Sequence, residues 1–133
     1  MLFVNSPIIQ TLTQKHTEKG MTVYIVQEMR GRDVTDAWNF GDLEILITVE
    51  EQTASFSAQP TIRKLNRILA NFTDDDYLLL TGDPAAIAIA AALAAKNNNG
   101  RFKMLKWDRQ TAKYFPLSAN LNTKLGEIVN GEL

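Results

Sequence analysis

The sequence predicts an α/β fold: a single-domain layered sandwich with a mixed four- to five-stranded sheet, a parallel β-α-β unit at residues 77–107 and a C-terminal hairpin. Three observations lead there. Tyr77-Leu78-Leu79-Leu80-Thr81 is short and continuously apolar, the pattern of a strand buried on both faces. Gly82-Asp83-Pro84 then turns the chain into an alanine-rich helix that runs to about Lys96. Phe102 to Trp107 supplies a second apolar strand after the stop Asn97-Asn98-Asn99-Gly100, and a strand–helix–strand passage of this kind joins parallel neighbours.

The remaining elements fit that frame. Thr22-Val23-Tyr24-Ile25-Val26-Gln27 is rich in β-formers and reads as the first strand. A polar loop from Arg30 to Asp42 follows, with room for one helical turn around Thr35 to Trp38. Leu43 to Val49 is a second strand, and Glu50 to Gln59, which has no periodicity, is a connector. From Pro60 the period changes: Ile62, Leu65, Ile68, Leu69 and Phe72 recur at spacings of three and four, as on an amphipathic helix. Tyr114-Phe115-Pro116-Leu117 returns as an edge strand, because Pro116 has no N–H to donate. Leu121, Leu125, Ile128 and Val129 hint at a C-terminal helix.

The order β, β, α, β, α, β, β implies three layers. Ile25, Ile45, Ile47, Leu65, Leu69, Leu78, Leu80, Ile87 and Leu105 are the expected core. Ala88 and Ala91 are expected on the sheet-facing side of the alanine-rich helix. Residues 1–20 differ in character, since Gln10 to Gly20 is polar and Met21 opens the first convincing element. They read as an N-terminal arm, with 21–133 as the single α/β domain.

Composition narrows the function. At 133 residues and 45% apolar, the chain has material for one core. Fourteen basic against fifteen acidic residues leave a net charge of −1, which argues against a general binder of nucleic acid or anionic membrane. The absence of cysteine removes disulfides and thiolate metal sites, and a single histidine, His16, removes multi-histidine sites. Met1 to Ile9 lacks the basic start of a signal peptide, and the run from Ala85 to Ala95 is too short to span a bilayer. A soluble, cytoplasmic protein with no membrane partner is the expectation.

Four groups of residues invite chemistry, and each has a plainer account. Thr81, Gly82 and Asp83 form a strand-to-helix turn whose free N–H groups suit phosphate or carboxylate, with Asp108 and Arg109 rising beside them from the next parallel strand. Against this, Asp83 puts a negative charge where an anion would sit, and no phosphate-loop signature is present; a capped helix is the favoured account of the turn. Asp74-Asp75-Asp76 resembles a cation site only if a turn makes the carboxylates converge. The stretch 101–115 interleaves basic residues with aromatics, as single-stranded nucleic-acid binders do, but strand alternation leaves neither face cleanly basic and aromatic. Trp38 and Phe40 in their polar loop, with Lys106 and Trp107 on the hairpin, suit contact with a partner protein.

Three blocks carry a resemblance: Val23 to Glu28 followed by Gly31-Arg32; Asp74 to Ala88; and Gly100 to Arg109 with Tyr114 to Leu117. Across Tyr24 to Leu121 the chain resembles small proteins of unknown function from tailed bacteriophages, including cyanophages. The resemblance implies phage origin and expression in the host cytoplasm, and it brings no catalytic residue, metal or cofactor. With no convergent acid–base pair or nucleophile, the leading expectation is a non-enzymatic accessory protein that binds a host or phage protein and forms a homo-oligomer. A nucleotide or phosphate-ligand binder at 81–84, a single-stranded nucleic-acid binder using hairpin 101–115, and a virion component are the alternatives.

Overall fold

A computed structural model describes residues 20–52 and 58–122. Five strands form one sheet: β1 (Thr22–Gln27), β2 (Asp42–Ile47), β3 (Tyr77–Leu79), β4 (Arg101–Asp108) and β5 (Lys113–Asn120). Their spatial order is β2-β1-β3-β4-β5. The first four are mutually parallel, and β5 returns antiparallel along β4. The expected β-α-β unit is present, with Leu78 opposite Met104 and Leu79 opposite Leu105 in adjacent parallel strands.

The helices are α1 (Val49–Gln52), α2 (Ala58–Leu69) and α3 (Pro84–Asn97), with a 3₁₀ helix at Thr35–Phe40. The segment expected to be a structureless connector therefore begins with one helical turn. That turn is held by local polar contacts: Glu28 accepts the Val49 N–H at 2.9 Å, and Glu51 accepts the Thr48 N–H and pairs with Lys64. The arm, residues 1–20, lies outside the described residues except for Gly20, as does the C-terminal helix expected beyond Asn122.

Both long helices pack on one face of the sheet. Leu65, Leu69 and Phe72 from α2 and its exit meet Ala86, Ala90, Leu93 and Ala94 of α3 over Tyr24, Val26, Leu46 and Leu78. The other face is covered by the 3₁₀ helix, whose Ala37 lies on Val23, Ile25, Leu79, Leu105 and Tyr114. The three expected layers are thus unequal, because a six-residue helix covers only the middle of its face.

Most of the expected core is buried, and the departures have simple causes. Ile25, Ile47, Leu65, Leu69, Leu78 and Leu105 are buried, whereas Leu80 and Ile87 are only half-buried. Ile45 is 37% exposed. It lies on the outermost strand β2, on the face that the 3₁₀ helix does not extend to cover. The helix phase also corrects one expectation. Ala86, Ala90 and Ala94 repeat every four residues along the buried stripe of α3, which turns Ala88, about 200° from Ala86, out to solvent. Ala91 is half-buried against the core.

Local signals end the elements. Asp83 accepts the Ala85 N–H at 3.1 Å and Pro84 opens α3. At its end Asn99 and Gly100 adopt φ of 56° and 81°, and the Gly100 N–H closes onto the Ala95 carbonyl at 2.7 Å.

The sheet's outer edge follows from the hairpin register. The Tyr114 N–H is taken by the Asp36 carboxylate at 3.1 Å, and the Leu121 N–H by the Gly100 carbonyl at 2.8 Å. Odd residues of β5 therefore bond to β4, and even residues point their N–H groups outward. Pro116 is at an outward position, so it costs the ladder nothing and removes a donor from the open edge.

The alanine stripe yields a direct check. Ala90→Leu should overpack the helix–sheet interface and cost roughly 1–3 kcal/mol in urea unfolding. Ala88→Leu should stay within about 0.5 kcal/mol of the parent. Equal costs would mean that α3 is rotated from this placement.

Candidate functional site

Four parallel strands end on one edge of the sheet, and the chain leaves that edge in two directions. The connection after β1 crosses the face carrying the 3₁₀ helix, while that after β3 crosses the face carrying α3. The two diverge between β1 and β3, where open α/β sheets place their ligand crevice. In this protein Gln27, the last residue of β1, occupies it. Its side-chain oxygen accepts the Asp83 N–H, and its backbone carbonyl accepts the Thr81 hydroxyl at 2.7 Å.

Gly82 completes the closure. Its φ of 100° lies in the region that favours glycine, and a Cβ placed there would run into the Gln27 side chain. Glycine is needed here because protein already fills the space. A cavity of about 130 Å³ remains on the 3₁₀ side of the crevice, lined by Gln27, Glu28, Arg32, Ile45 and Thr81 among others.

Of the residues singled out for a ligand, Thr81, Gly82 and Asp83 are together in one turn, and Thr81 lines this cavity. Gly82, Asp83, Asp108 and Arg109 line neither this cavity nor a larger one beside Arg101 and Ser118. Asp83 caps α3. Asp108 closes its own hairpin turn, accepting the Gln110 N–H at 3.2 Å and the Thr111 hydroxyl at 2.7 Å. These donors, the Thr111 hydroxyl foremost, hold the Asp108 carboxyl below the usual carboxylate range. Arg109 is exposed in that turn.

The three consecutive aspartates point to three tasks. Asp76 is fully buried and accepts the N–H of Thr22 at 3.0 Å and of Thr73 at 2.8 Å, with the Thr73 hydroxyl at 3.1 Å. Asp74 pairs with Arg101 and accepts from Asn98; these donors, Arg101 first, lower its pKa. Asp75 is exposed. Among the described residues no group of acidic or histidine side chains is arranged to hold a metal ion.

The partner-contact candidates divide between the two faces. Trp107 projects on the 3₁₀ face, 37% exposed and edge-on to Tyr114 at 4.9 Å. Trp38, on the 3₁₀ helix itself, is 65% exposed. Asp36, two residues earlier, bonds the Tyr114 backbone, so the helix and the hairpin that carry the two tryptophans are joined on one face. Phe40 instead turns inward against Tyr77, ring centroids 5.4 Å apart. Lys106 is exposed on the opposite face, beside Phe115. The Tyr114 hydroxyl is buried. Burial pushes its pKa up, and a side-chain hydrogen bond from Arg32, with its charge, offsets this in part.

Gln27 and Asp36 are site-shaping residues that the pattern of the sequence did not announce. Each is one polar residue whose partner lies 56 or 78 positions away. The only local signal is that Gln27 ends an apolar strand.

A family model described as Phage Pam3 gp32-like protein matches residues 21–121. The chain belongs to this phage family. The matched span covers every described strand and helix, coincides closely with the stretch carrying the phage resemblance, and leaves residues 1–20 outside it. No curated protein and no solved structure matches the chain. Among the described residues, no helix of this phage protein is long and apolar enough to cross a membrane.

The filled crevice makes a prediction. Gly82→Ala should cost about 1–3 kcal/mol in equilibrium unfolding through backbone strain and collision with Gln27. Adding Gln27→Ala should return part of that loss. A double variant as unstable as the sum of the two singles would show that Gln27 is not what fills the turn.

Proposed function

We propose that this phage protein is a non-enzymatic accessory protein that acts in the host cytoplasm by binding a protein of host or phage origin. The observation that carries the reading is the presence of two exposed indoles, Trp38 and Trp107, on the thinly covered face. Large aromatics are costly to leave in water and supply most of the anchoring energy where proteins meet. Here one indole stands out on a 3₁₀ helix pinned by Asp36, and the other is braced by Tyr114, so the second loses little freedom on docking. The exposed Arg32, next to Tyr114, adds a cation to the same face. Chemistry at the strand ends is less well supported, because Gln27, Asp83 and Asp108 already use their polar atoms within the fold.

The test compares immobilised parent and Trp38→Ala/Trp107→Ala protein as baits in extract of infected host cells. The double variant should lose about 1–2 kcal/mol, mostly from Trp107, which packs on Tyr114, yet stay folded by circular dichroism and retain at least about tenfold less of the parent's specific partner. If sedimentation shows the parent to be an oligomer that this variant dissociates, the partner is a second copy. A well-folded variant that retains partner and assembly like the parent would defeat the proposal.

A further inference from the structure

The larger cavity, about 300 Å³, lies at the opposite end of the sheet from the strand-end crevice and is lined by Asp74, Arg101, Lys103, Ser118 and Asn120, with Phe102 and Ala119. Its size falls at the lower end of the range for ligand sites. Register builds it: Arg101 and Lys103 stand two residues apart on one face of β4, and their β5 partners Asn120 and Ser118 share that face. The chain has a net charge of −1, yet this cavity carries two cations against one carboxylate.

The two cations are held differently. Arg101 donates through Nε and Nη2 to both oxygens of Asp74, at 3.1 and 3.3 Å, and Asn98 steadies the same carboxylate at 2.8 Å. Arg101 is thereby oriented, and most of its charge is answered. Lys103 has no carboxylate within ion-pair distance among the described residues; its ammonium rests 4.2 Å from the Tyr77 ring centroid. That contact positions the charge without neutralising it.

The edge of β5 adds a second, independent observation. Its outward N–H groups are closed at Tyr114 by Asp36 and at Pro116 by the proline ring. Ser118 is the next outward position, and it lines the cavity. Main-chain pairing and the Lys103 ammonium, which feels the Asp74 carboxylate only from beyond ion-pair distance, are therefore offered at the same place.

We propose that this end of the hairpin captures an acidic peptide segment of the partner, which lies along β5 at Ser118 and places a carboxylate by Lys103. This rests on the protein-binding reading above but uses a different surface, so the two fail separately. Strand addition supplies the main-chain bonds, and the cavity selects the side chain. Closure at Tyr114 and Pro116 fixes where such a strand can lie.

The experiment is calorimetric titration of the full-length protein with an end-blocked peptide of alternating glutamate and threonine, and with its lysine–threonine counterpart. Saturable binding of the glutamate peptide, weakening with added salt, is expected, with no binding of the lysine peptide. Lys103→Met and Ser118→Pro should each weaken binding at least about tenfold. Ser118→Pro leaves the ladder to β4 intact because that N–H faces outward, and far-ultraviolet circular dichroism checks the fold. Lys106→Met, on the other face, should bind like the parent. Failure of the glutamate peptide to bind, equal binding by Lys103→Met, or equally tight binding of free citrate would overturn the proposal, the last by making the cavity a small-anion site.

Discussion

One buried carboxylate holds the centre of this sheet. Asp76 sits at the entrance to β3 and receives the backbone N–H of Thr22, where β1 begins, together with the N–H and hydroxyl of Thr73. β1 and β3 are the central pair, joined across 54 residues of sequence, and their register starts with Val23 opposite Tyr77. A buried charge is costly unless its hydrogen bonds are made. A strand shifted by one residue would break these bonds and also send Tyr24 and Val26 to the wrong face. Tyr24 feels the site directly: its own burial first, and then the Asp76 charge, push its phenol pKa up to about 12.

From that centre the two faces diverge, and the divergence decides where function can lie. The connections over one face are two full helices whose alanines and leucines seal it against the sheet. The connection over the other is a 3₁₀ helix of six residues. It buries Ala37, half-buries Phe40 and leaves Trp38, Trp107 and Ile45 showing. At the strand ends, where an α/β sheet ordinarily opens a crevice, Gln27 and Gly82 fit into each other instead. Among the described residues, the surfaces left uncovered are therefore the thinly covered face and the hairpin side of the sheet.

Local chemistry made much of this legible. The strands at 22–27 and 77–79, the Asp83-Pro84 start of α3, its Asn-Gly stop and the edge position of Pro116 each follow from residues a few positions apart. Features set by distant partners were not legible. Asp74, Asp75 and Asp76 are identical in sequence, and only the three-dimensional route to Thr22 makes one of them structural. The exposure of Ala88 required the phase of α3, which an almost uniformly apolar helix does not reveal. Trp38 and Trp107 stood out as large aromatics, but the bond that joins their loop and hairpin, Asp36 to Tyr114, did not.

The central claim is that the Asp76 carboxylate fastens β1 to β3, and equilibrium unfolding of Asp76→Ala beside Asp74→Ala tests it most directly. Asp76→Ala leaves buried donors unanswered, so the account predicts a loss of about 3 kcal/mol or more, or failure to fold. Asp74→Ala, which removes an exposed ion pair with Arg101 and an exposed hydrogen bond from Asn98, should lose no more than about 1 kcal/mol. An Asp76→Ala protein as stable as the parent would contradict the account.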